Sequence, residues 1–74
     1  MTTIRNRYVV GANGVGVLDT ARTKRAAFDA ARNAALSDRS LDGVYVEDRL
    51  AHIGTPWLWY YHPRDDALYM AGVK

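Results

Sequence analysis

The chain has 74 residues, no cysteine, ten basic against eight acidic side chains and a formal net charge of +2. Disulfides and thiolate metal sites are excluded, and so small a positive excess does not by itself point to nucleic acid. This length allows one domain, residues 1–74, with a thin core.

The polar start MTTIRNR carries no secretory signal, and no apolar run reaches membrane-spanning length. Together with the missing cysteines, that predicts a cytoplasmic protein with no membrane partner. Eight arginines against two lysines, with eleven alanines, is the residue usage of a GC-rich genome. An actinobacterium or one of its phages is the expected source.

The first element is a hairpin. Ile4 to Ala12 and Val15 to Leu18 read as strands around Asn13-Gly14, a pair that turns tightly because both positions accept positive φ. That register puts Tyr8, Val10, Ala12, Val15 and Val17 on one face and Val9, Gly11, Gly16 and Leu18 on the other. GANGVG has the spacing G-x-x-G-x-G, but it is not a dinucleotide fingerprint and no helix follows it directly.

Thr23 to Leu36 is the one helix. Thr23 is a fitting N-cap, and Ala27, Phe28, Ala31, Ala34 and Ala35 make one apolar stripe flanked by Ala30. Arg25, Asp29 and Arg32 share the far side, where Asp29 can pair with either arginine. Lys24 and Arg25 stand at the end that the helix dipole disfavours for cations. The hairpin, the glycine turn and Asp19-Thr20 to Ala30 resemble antitoxin domains of the partial ribonuclease-H type, with Tyr8-Val9-Val10 as the strand. The acidic positions usual after such a threonine are Lys24 and Arg25 here, so the family's function is not carried over.

SDRSLD, 37–42, is a polar connection. Gly43 to Leu50 alternates as a strand, with Val44 and Val46 opposite Tyr45, Glu47 and Arg49. After the break at Gly54-Thr55-Pro56, Trp57 to His62 is a strongly β-prone aromatic run. Trp57, Trp59 and Tyr61 should share one face, and Leu58, Tyr60 and His62 the other. Pro63 to Asp66 is a turn, and Ala67 to Val73 returns as the last strand. The expected fold is therefore α+β, an antiparallel sheet of about five strands with one helix packed on one face, in the order β-β-α-β-β-β.

Chemistry is sparsely signalled. His52 and His62 lie on different elements, and His62 with Asp65 or Asp66 is the best metal set available. In HPRDD a proline turn with solvated carboxylates is the simpler account. Glu47 and Asp48 beside His52 point opposite ways from a strand, and Ser37 and Ser40 lack a base. No catalytic residue, metal or cofactor is expected, and hence no enzyme.

A sheet apolar on both faces needs more cover than one helix supplies. The sequence therefore predicts a small non-enzymatic module for protein–protein interaction and self-assembly, a homo-oligomer or a phage or bacterial accessory protein acting on a host partner. Its expected interface residues are Trp57, Trp59, Tyr61, Tyr45 and Tyr69. The second reading is a nucleic-acid-binding sheet, stacking bases on aromatics beside Arg5, Arg7 and Arg49. Glu47, Asp48, Asp65 and Asp66 in or next to the same strands weigh against it.

Overall fold

The computed structural model describes residues 6–74, from which one helix and five strands emerge. Strand β1 (Tyr8–Ala12) turns into β2 (Gly16–Ala21), helix α1 (Lys24–Ser37) follows, and then come β3 (Val44–Asp48), β4 (Pro56–His62) and β5 (Ala67–Val73). All neighbouring strands are antiparallel, in the order β2-β1-β3-β4-β5. β2 and β3 thus run parallel to each other on either side of β1, and α1 is the crossover between them.

The first turn differs from the expected one. Val15 N–H donates to the Ala12 carbonyl at 3.1 Å and Gly14 has φ +77°, but Asn13 keeps a negative φ. The loop is three residues long, closed by the pair Ala12 and Gly16. Asn13 answers to a tertiary contact instead: its N–H donates to the Asp42 carbonyl at 2.9 Å, and its side chain lies against Gly43. The longer loop sets Val17 opposite Gly11, and a bulge between Val10 and Gly11 follows, with Val10 opposite Asp19. Val17 therefore faces away from Val10, and β2 runs on to Ala21 rather than ending at Leu18. The expected strand start at Ile4 lies outside the described residues.

The helix begins where its cap predicts. Thr23 Oγ1 accepts from Ala26 N–H at 3.1 Å, and at the other end Asp38 N–H donates to the Ala34 carbonyl. Ala27 and Ala31 are fully buried in one cluster with Val10, Ala12, Ala21, Val44, Val46, Trp59 and Tyr61. Val10, Val46 and Trp59 are successive partners in one row across the sheet, so they share the side on which those alanines lie. The Phe28 ring meets Tyr61 there, centroids 5.9 Å apart. Small alanines let the helix approach a sheet row that carries a tryptophan. The largest fully buried side chains are Val10 and Val46, which makes this the thin core expected of the length.

Arg25 pairs with Asp29 at 3.5 Å, one helical turn away. Arg32 does not compete for it; its Nε lies 3.8 Å from Asp66 in the β4–β5 turn. Lys24, misplaced for the dipole, sits with its ammonium 4.3 Å from the Trp59 ring centroid, where the ring's negative face attracts it.

Candidate interaction surface

On the side of the sheet away from the buried alanines, cross-strand pairing builds a single row. Val17 of β2 opposes Gly11 of β1, which opposes Tyr45 of β3, then Tyr60 of β4, then Tyr69 of β5. A second row beside it runs Thr20, Val9, Glu47, Leu58 and Gly72. Three tyrosines in line, with Leu58 next to them, thus occupy three adjacent strands.

Each ring is held in place. Tyr45 lies across Gly11, where an added Cβ would stand 2.5 Å from its hydroxyl oxygen, so only glycine leaves room for the ring. Tyr45 and Tyr60 meet edge to face with centroids 6.2 Å apart, the geometry that aromatic quadrupoles favour. Tyr69 stacks on His62 at 4.3 Å, and its hydroxyl donates to Asp65, which holds that phenol above its ordinary pKa. Tyr45 and Tyr60 are half-buried, whereas Tyr69 is 45% exposed and Val17 64%.

The five expected interface residues do not lie together. Trp59 and Tyr61 are buried in the core cluster on the helix side. Tyr45 and Tyr69 are on the other side, joined by Tyr60. Trp57 has no ladder partner, because the β4–β5 pairing shifts on both sides of Leu58. Its half-buried indole lies against Gly72. Tyr60 belongs with the row and escaped the sequence reading, which followed the tryptophans. Register was the signal that could have found it, since Tyr45, Tyr60 and Tyr69 align only once β3, β4 and β5 are paired.

The basic residues considered for nucleic acid are also dispersed. Arg7 Nε and Nη2 donate to the two carboxylate oxygens of Asp48 at 2.7 and 2.8 Å. Asp48 is buried at 5% exposure and also accepts from Leu50 N–H. The Arg7 hydrogen bonds hold its carboxyl below the usual range, against the opposing effect of burial, and Asp48 in turn raises the Arg7 guanidinium further. Arg49 is exposed in the turn after β3, and Arg5 lies outside the described residues.

The HPRDD turn is not a pair of free carboxylates. Tyr61 donates to Asp66 at 2.6 Å from the helix side and Tyr69 to Asp65 from the other, so the two acids fasten one ring on each side of the β4–β5 hairpin. Asp66 itself takes the left-handed conformation, with φ +50°. Among the described residues no three of His, Cys, Asp or Glu converge as metal ligands, and none lines a pocket.

No family model, curated protein or solved structure matches the chain.

Proposed function

We propose that this chain is a non-enzymatic interaction module that self-associates, with the tyrosine side of its sheet as the contact surface. The observation that carries this reading is the row Tyr45–Tyr60–Tyr69, aligned across three strands and flanked by Leu58 and Val17. Tyrosine suits such a surface, because the ring is apolar while its hydroxyl stays satisfied by water or a partner. Fixing the rings on Gly11, on each other and on Asp65 reduces the entropy lost when a partner orders them. A second copy is the simplest occupant, since one patch then serves both partners about a two-fold axis. A host protein bound on the same rings is the finer alternative within this reading.

The test compares two substitutions by sedimentation. Tyr60→Thr should keep a cooperative melt but weaken association by about 2 kcal/mol, roughly thirtyfold. Trp59→Ala should instead unfold the monomer, since truncating a buried Trp costs about 3–5 kcal/mol. An unchanged association constant for Tyr60→Thr would remove the tyrosine side from the interface.

The same ring row favours one other reading, base stacking on single-stranded nucleic acid. Glu47 shares that side, and Arg7 is already neutralised by Asp48. Titration of labelled single-stranded RNA and DNA at low salt decides it: true phosphate contacts weaken steeply as salt rises.

A further inference from the structure

The tyrosine side carries more hydrogen-bond donors than its apolar rings suggest. Gly72 pairs with Leu58 in the second row, and a Cβ there would stand 2.9 Å from Trp57 Nε1 and 3.4 Å from the Leu58 Cβ. The Trp57 indole therefore lies on this side too, next to Leu58. Among the described residues, the Trp57 indole N–H and the hydroxyls of Tyr45 and Tyr60 have no protein acceptor, whereas the Tyr69 hydroxyl is taken by Asp65. None of the three is shut away from water, so all can donate to a ligand. Glu47 is the one charged side chain in the two rows.

The rings stand as ridges rather than as a flat floor: Tyr45 and Tyr60 cross at 68°, and no pocket opens among the described residues. A small molecule finds no enclosure there, whereas an extended chain can lie across the strands. The sheet sets the repeat such a chain must match. Tyr45 and Tyr69 stand two strands apart, about 9.6 Å at about 4.8 Å per strand. A polyproline II helix rises about 3.1 Å per residue and turns in three, so it returns a residue to the same side every 9.3 Å or about that. A β-strand does so at about 6.8 Å and an α-helix at about 5.4 Å, and the helix has its carbonyls bonded within itself. Polyproline II leaves its carbonyls free, and proline brings no N–H to match a surface that itself offers donors.

We infer that the tyrosine side binds a proline-rich segment in the polyproline II conformation. Tyr45, Tyr60 and Tyr69 pack on its prolines, the three donors bond its carbonyls, and Glu47 pairs with a lysine or arginine beside the prolines. This rests on the tyrosine side being the contact surface and names the chemistry of its partner. The chain's two prolines, Pro56 and Pro63, are not adjacent, so a second copy cannot supply the segment. The segment competes with that copy for the same rings. Little entropy is lost on binding, because the ligand helix is preformed and the rings are already fixed.

The test titrates the isotope-labelled chain with a blocked oligoproline bearing one terminal arginine, and with a glycine–serine peptide of equal length and charge, each to millimolar concentration. The oligoproline should saturably shift the Trp57 indole N–H and the amides of β3, β4 and β5 in the nuclear magnetic resonance spectrum, and the glycine–serine peptide should not. Tyr60→Thr, checked for folding by its own spectrum, should bind about tenfold more weakly. Glu47→Gln should lose up to about fivefold, and should bind an oligoproline without the arginine as the wild type does. No saturable shift, shifts away from the tyrosine side, or equal binding of the glycine–serine peptide overturns the inference, and sedimentation of the free chain still decides self-association. A free chain that stays monomeric yet binds the oligoproline on these rings removes self-association and leaves the inference standing.

Discussion

Gly11 and Tyr45 show how one residue's missing side chain shapes the surface. The Tyr45 ring occupies the space above Gly11, and the Gly16 carbonyl closes it from the β2 side. Gly11→Ala should therefore overpack the site and destabilise the fold by about 1–3 kcal/mol in urea melts. Gly16→Ala tests strain without a clash, since φ is +97° there and the space is open. Asp48 and Arg7 make a second residue-scale prediction. The Asp48 carboxyl is depressed in the fold, so its stabilisation is fully present above its unfolded pKa of about 4 and is lost as pH falls through the lower folded value. Asp48→Asn should lower stability at pH 7 and flatten the fall in stability below about pH 4, as read by denaturant titrations at several pH values.

At the scale of the element, the helix was the most legible part of the chain. Thr23 caps it and the alanine stripe faces the core because both signals are local, read within a single turn. Ala31→Leu should overpack the contact with the sheet and cost about 1–3 kcal/mol, whereas exposed Ala26→Leu should cost little, as thermal melts would show. Equal losses would mean that the helix is turned differently. Lys24 was illegible for the opposite reason: its partner, Trp59, lies 35 residues away in sequence, and no local rule connects them. The hairpin lay between these cases. Asn13-Gly14 marked the turn correctly, but Asn13 serves a contact with Asp42 and Gly43, so the loop gained a residue and Val17 changed sides. A one-residue difference in register moves a side chain to the opposite face.

Across the whole molecule, the order of elements along the chain and the strand count were readable from alternation and turn residues, whereas the order of strands in the sheet and much of the candidate surface were not. The sequence located an excess of aromatic rings without showing which of them the helix takes. Trp59 and Tyr61 went to the core, Tyr45 and Tyr69 to the other side, and Tyr60 joined those two through cross-strand pairing. Leaving such rings wet is costly. A Tyr offers about 150–250 Å² for burial, so the part of Tyr69 still exposed, 45%, is worth about 2 kcal/mol at about 25 cal/mol/Å². That is a sizeable fraction of the total stability of a small domain, about 5 kcal/mol. Sedimentation equilibrium of the unmodified chain across the micromolar range tests the central claim most directly. The account predicts a mass that rises with concentration from 8.3 kDa to a whole multiple of it. A folded species that stays at 8.3 kDa throughout would contradict it.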